Sequence, residues 1–185
     1  MNSIFFFLLL GNSVIGQVAG ALMAKEFSKE IALYRAKEFV IHEILGESND
    51  IVQFQIDPLA SATSGELTSL VYHCDSKNKE GLVLGFFGTY WNDAGVSFQG
   101  YKFKNLPKEQ ALLLLAKIDQ AIEEHYKWLS NDSDNNNIYF QFEDLTILIY
   151  DNAGSTIRIF WNKFDATWNG SAFDRTKKRF EKKLH

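Results

Sequence analysis

Apolar and polar residues alternate in most of the segments that this sequence predicts to be structured. In residues 51–57, for example, Val52, Phe54 and Ile56 share one face and are separated by glutamines. This period of two is typical of a strand with one buried face. Pro58 is expected to end that strand, because proline cannot donate to a sheet ladder. Residues 145–150 are apolar on both faces, as is typical of a central strand. The predicted strands are residues 51–57, 67–74, 82–90, 96–103, 138–142, 145–150 and 156–161.

Three other segments show the helical period of about 3.6 residues. Residues 25–45 predict an amphipathic helix closed by Gly46, with strand as an alternative for its C-terminal part. A second helix is expected after Pro107, where an apolar stripe contains Ala111, Leu115, Ile118, Ile122, Tyr126 and Leu129. Ser171, with Asp174 three residues later, indicates the start of a last helix.

The order of these elements predicts an α+β fold. Short turns such as residues 151–155 join neighbouring strands, which is typical of antiparallel pairing. We therefore expect one antiparallel sheet of about six or seven strands with helices packed over one face.

The first 24 residues, Met1–Ala24, contain no charged side chain and include the apolar block Ile4–Leu10. A secretory signal has an apolar core of about 7–15 residues followed by small residues, and this segment offers both. A retained membrane anchor of about 20 residues and a buried element of a cytoplasmic protein are the alternatives. The expected organisation is a signal peptide or membrane anchor at residues 1–24 and a single α+β domain at residues 25–185.

Export of the protein to the periplasm or the medium is the prediction that this segment favours. We expect the mature chain to begin between Gln17 and Lys25, after the small residues that follow the apolar block. Mass spectrometry of the intact protein tests this expectation. Retention of residues 1–16 in a cytosolic protein would contradict it.

Composition narrows the classes of partner. The 185 residues are 46% hydrophobic, enough for one packed core. The net charge of −4 does not favour binding to nucleic acid. Contact with a membrane is expected only through residues 1–24, if they are not cleaved. Cys74 is the only cysteine, so no internal disulfide can form. No phosphate-binding loop, nucleophile elbow or zinc-type spacing is present, so no cofactor, metal or catalytic residue is predicted.

A carboxylate-dependent hydrolase is the alternative to a binding protein. His73 and Cys74 are neighbours in a predicted strand and point to opposite faces, so His73 cannot activate the thiol. Glu143, Asp144 and Asp165 could form a catalytic acid–base pair only if they converge in one pocket. At predicted turns, however, acidic residues commonly accept local backbone hydrogen bonds.

Non-enzymatic recognition is the favoured function. Aromatic rings offer stacking area, amide and carboxylate groups offer directional hydrogen bonds, and arginines offer paired donors to an acidic group. The segment 162–169 and the basic face of the last helix combine these groups, and they predict recognition of a protein partner or small ligand. The expected binding residues are Trp168, Phe164, Asn162, Asp165, Arg175 and Arg179.

A signal-like segment, a small acidic α+β domain, the single Cys74 and no catalytic motif make up the outline of this chain. That outline is similar to that of periplasmic immunity proteins, which neutralise secreted bacterial toxins. The resemblance implies a protein partner.

Overall fold

The computed structural model describes residues 32–62, 64–91, 94–133, 135–152 and 154–184, so the predicted signal segment 1–24 lies outside the described residues. The chain divides into a unit of residues 1–35 and a second unit of residues 36–185. The strands, both longer helices and the core described below belong to the second unit. Among the described residues, no helix is long and apolar enough to cross a membrane.

The fold is α+β, as predicted, but its strands form two sheets. In the described residues, eight strands make two four-stranded antiparallel sheets, each with its strands in chain order. Sheet A contains β1 (Gln55–Ser61), β2 (Leu67–Cys74), β3 (Lys79–Trp91) and β4 (Ser97–Pro107). Sheet B contains β5 (Asn137–Phe142), β6 (Leu145–Asp151), β7 (Ser155–Trp161) and β8 (Phe164–Asn169). The expectation of a single sheet of six or seven strands is therefore corrected.

In the described part of the chain, three helical segments accompany the sheets, besides the short 3-10 turn Asp75–Lys77. Residues 32–39 are α-helical and continue into a π-helical turn, Val40–Leu45. Gly46 ends this segment with a φ of 74°, a conformation that favours glycine, as predicted. Helix α1 (Lys108–Asn131) connects the two sheets, and helix α2 (Gly170–Lys183) follows β8.

The first strand does not end at Pro58. Strand β1 continues through this proline to Ser61, with an irregularity in its pairing to β2 between Pro58 and Ala60. Because β1 is an edge strand, a residue without an N–H group is tolerated there. The predicted stop was therefore wrong.

The segment 162–169, for which the sequence analysis predicts no strand, contains strand β8. Asn162 and Lys163 both have positive φ angles, 46° and 66°, and form a two-residue turn after β7. Two successive positive φ values are typical of the tight turns that join antiparallel strands. Phe164–Asn169 then pairs with β7 along its whole length.

One core lies between the two sheets and the two longer helices. Helix α1 contacts β3, β4, β5 and β6, and helix α2 contacts β1, β2, β7 and β8. The largest buried side chains include Phe86 of β3, Leu115 of α1, Trp168 of β8 and Phe173 of α2. The predicted stripe of α1 is confirmed for most of its residues, but Tyr126 is 62% exposed.

The opposite face of sheet A is contacted by residues 39–45, the end of the N-terminal helical segment and its π-helical turn. Phe39 packs against Phe103 of β4, with 5.6 Å between their ring centroids, and Val40 is buried. Phe103 pairs with Gly85, which alternates with the core residues Leu84 and Phe86. Helices therefore cover both faces of sheet A, whereas the expected arrangement placed them over one face.

Candidate functional site

The two aromatic rings predicted to bind a partner lie in the core. Trp168 is 1% exposed and Phe164 is 5% exposed, since both point to the inner face of β8. Trp168 meets the ring of Phe173 edge to face, with 5.2 Å between the centroids. The expectation that these rings lie at the surface was therefore wrong.

The four polar residues of the predicted site do lie at the surface, but on different elements. Asn162 is exposed in the turn before β8, and Asp165 is exposed on the outer face of that strand. Arg175 and Arg179 are exposed on α2, where Arg179 donates to the backbone carbonyl of Leu59. Because α2 packs on the inner side of the fold, the structure separates these arginines from Asp165.

Asp165 belongs to a different surface, which we call the open face. It is the outer face of sheet B, and Asp165 is the one residue of its two central rows that was predicted as a site residue. The strand register places Tyr139, Leu148, Arg158 and Thr167 in one row across the four strands. The adjacent row contains Gln141, Thr146, Phe160 and Asp165.

The open face exposes two aromatic rings. Tyr139 is 73% exposed and Phe160 is 38% exposed, while Leu148 and Tyr150 are half-buried beside them. Scattered apolar residues are normal on a protein surface, whereas contiguous apolar patches mark interaction sites. The alternation of residues 138–142 put Tyr139 and Phe140 on opposite faces of the strand, which is the sequence signal for this surface.

Charged and polar groups on the open face are held in fixed positions. Arg158 donates from Nε to Asp165 Oδ2 at 2.7 Å, and its Nη2 reaches the same oxygen. The hydrogen bonds to Asp165 raise the pKa of Arg158, burial opposes this, and the negative charge of Asp165 supports it. The guanidinium carbon also lies 6.0 Å from the ring centroid of Phe160. An arginine held close to an aromatic ring offers a partner both stacking area and hydrogen-bond donors.

Of the three acidic residues of the hydrolase hypothesis, Glu143 and Asp144 share one cation and Asp165 lies elsewhere. Lys104 Nζ is 3.6 Å from Glu143 Oε2, whereas Asp165 pairs with Arg158. Asp144 accepts hydrogen bonds from the indole of Trp161 at 2.8 Å and pairs with Lys104 at 2.7 Å. Trp161 alternates with the outward-facing Phe160 and packs on Phe86, so Asp144 is engaged on the inner side of sheet B. Asp165 lies on the outer face, paired with a different cation.

The environment of Asp144 keeps it ionised. Burial raises the pKa of this carboxyl, but the hydrogen bonds from Lys104 and Trp161 outweigh burial, and the net pKa lies below the ordinary value of 3.8. A general acid must be protonated at the working pH. This arrangement favours a structural role for Asp144.

His73 and Cys74 have separate partners. His73 Nε2 lies 2.7 Å from Asp75 Oδ1, while the buried Cys74 Sγ lies 3.4 Å from the carbonyl oxygen of Gln53. A thiol nucleophile needs a base within hydrogen-bond reach. The contacts are those of a structural thiol.

A polar cavity of about 580 Å³ opens between the π-helical turn, the start of β3 and the start of α1. Within it, Lys108 is paired with Glu80. Burial raises the pKa of Tyr72 to about 12, although a hydrogen bond with Asn105 opposes the shift. Tyr72 therefore remains protonated at neutral pH and cannot act there as a base.

Comparisons with protein-family models, with curated proteins and with solved structures found no match to this chain. Within the described ranges, no group of three or more His, Cys, Asp or Glu side chains is placed to hold a metal ion. The candidate functional site is the open face, which combines exposed aromatic rings with the Arg158–Asp165 pair.

Proposed function

We propose that this protein is a non-enzymatic binding protein and that the open face of sheet B is its binding surface. The observation that carries the proposal is the exposure of Tyr139 and Phe160 on one sheet face, beside the fixed pair of Arg158 and Asp165. Aromatic residues and arginine are enriched among the residues that dominate binding energy at protein interfaces.

A protein partner suits this surface better than a small ligand. Small molecules usually bind in concave pockets that enclose most of their surface. The open face is instead the outer side of a four-stranded sheet, with its rings and polar groups spread over neighbouring strands. Export remains part of the proposal and is supported only by the uncharged segment 1–24.

Affinity capture from the cells that make this protein tests the proposal. We expect the double variant Phe160→Ala, Arg158→Ala to bind its captured partner about tenfold or more weakly, because it removes a ring and a fixed donor together. Quantitative mass spectrometry identifies the partner, and titration with the purified partner measures the dissociation constant.

The control is the variant Tyr126→Ala, Trp128→Ala, which removes two exposed rings from α1, away from the open face. It is expected to bind the partner as the wild-type protein does. Equal losses in both double variants, or no loss in either, would argue against the open face as the binding surface.

A further inference from the structure

Two edge strands of the fold are protected against pairing with another chain. At one edge of sheet A, strand β1 contains Pro58, and its pairing with β2 is irregular at that point. Arg179 of α2 donates a hydrogen bond to the backbone carbonyl of Leu59 on the same strand. At the other edge of the same sheet, β4 has Lys102, Lys104 and a terminal proline. Proline, irregular pairing and lysine are common devices that block edge-to-edge association.

The outer edge of strand β8, at one side of sheet B, is contacted by another part of the chain. The backbone N–H of Thr167 donates to the carboxylate of Glu66 at 3.2 Å. The carbonyl of Glu66 in turn accepts from the N–H of Phe87 on β3 at 2.8 Å. A side chain from the loop before β2 therefore takes the place of a neighbouring strand at this edge.

Strand β5, at the remaining edge, carries no protection within the strand itself, and the one contact at its outer edge among the described residues is that of Lys117 of α1 with the carbonyl of Gln141 at 3.5 Å. The sequence of β5, NIYFQF, contains no charge, no proline and no glycine, and its pairing with β6 is regular throughout. Aromatic and β-branched residues favour the strand conformation. In the described residues, no strand pairs with the outer edge of β5.

The apolar layer under sheet B is incomplete at the same edge. The inward residues of β6, which are Leu145, Ile147 and Ile149, are fully buried. The inward residues of β5 are only half-buried, and they are Ile138, Phe140 and Phe142. One more strand beside β5 would bury the rest of these side chains.

Helix α1 borders this edge with a single positive charge. Lys117 Nζ lies 4.6 Å from the ring centroid of Phe140 and 3.5 Å from the carbonyl oxygen of Gln141. No carboxylate pairs with Lys117 in the described part of the chain. Leu113, one helical turn earlier, is 63% exposed. An acidic group beside apolar side chains would match this border.

We infer that the free edge of β5 binds an extended segment of the partner protein, which adds to sheet B as a fifth strand. This inference rests on the proposed function and specifies how the partner is held. Main-chain hydrogen bonds to β5 supply affinity, and alternate side chains supply specificity. Apolar side chains of the segment cover Ile138, Phe140 and Phe142, and a carboxylate pairs with Lys117.

A second copy of this chain fits the same edge less well. Two antiparallel copies of β5 would bring the Lys117 side chains of both molecules to one narrow border, where like charges repel. An acidic segment of another protein meets no such repulsion at Lys117.

A phage-displayed library of random dodecapeptides, selected against the full chain, tests the inference. We expect the recovered peptides to alternate apolar and polar residues and to contain an acidic residue. The variant Asn137→Lys, Gln141→Lys places charges on the edge, as natural edge strands do, and leaves Tyr139 and Phe160 in place. It should weaken peptide binding by about tenfold or more. In Lys117→Glu, the recovered peptides should carry a basic residue instead.

The matched control is Gln99→Lys, an added lysine on the edge strand β4, which should bind the peptides normally. Failure to recover alternating peptides, or equal binding by the edge variant, would overturn strand addition. So would a concentration-dependent dimer of the chain that the edge variant abolishes. If the captured partner loses affinity for the Phe160, Arg158 variant but not for the edge variant, the proposed function stands and strand addition fails.

Discussion

Replacing Trp168 with alanine should lower the free energy of unfolding by about 3–5 kcal/mol. The indole is 1% exposed, lies on the inner face of β8 and packs edge to face on Phe173 of α2. Removing it leaves a cavity between a strand and a helix that cannot close fully. Urea or guanidinium unfolding, followed by circular dichroism, measures the change.

The control is Trp128→Ala, which removes a tryptophan that is 55% exposed near the end of α1. Its effect should stay within about 0.5 kcal/mol, as for most surface substitutions. The competing result is a Trp168→Ala protein that keeps wild-type stability and loses its captured partner. That outcome would mean that Trp168 is a binding residue and not a core residue, as first expected for residues 162–169.

The burial of Trp168 depends on a strand that the sequence prediction missed. Phe164, Ala166 and Trp168 alternate with polar residues, which is the period of a half-buried strand. Asn162, Asp165 and Asn169 are typical of loops, and the turn before β8 contains no glycine to mark it. Local propensity therefore favoured a loop, whereas pairing with β7 and packing on α2 make a strand.

The division into two sheets is a long-range property. Periodicity locates a strand and its two faces, but it does not say which strands pair. Helix α1 separates β4 from β5, and its contacts with both sheets place them around one core. The prediction of antiparallel neighbours was correct within each sheet and could not reveal the break between them.

Periodicity also does not reveal which face of sheet B is exposed. Alternation in β5 puts Tyr139 on one side and Phe140 on the other, and both sides carry an aromatic ring. Only the position of α1, with Lys117 over Phe140, decides which side is covered. The sequence thus contained the two faces, and tertiary packing selected the exposed one.

Replacing Ile118 with alanine should cost about 2–5 kcal/mol of stability. This side chain is fully buried, and it belongs to the cluster formed by both sheets and both longer helices. Alanine keeps the helical propensity of α1, so the loss reports the cavity and the buried area. The denaturation midpoint should fall without a change in the dependence of stability on denaturant.

Leu113→Ala is the matched control, because it truncates an aliphatic residue of the same helix that is 63% exposed. We expect it to leave the midpoint nearly unchanged, with an effect within about 0.5 kcal/mol. Similar losses in both variants would mean that the two sides of α1 are equally buried. An unchanged midpoint in Ile118→Ala would mean that α1 is not part of the core. It would also contradict the packing of the two sheets around this helix.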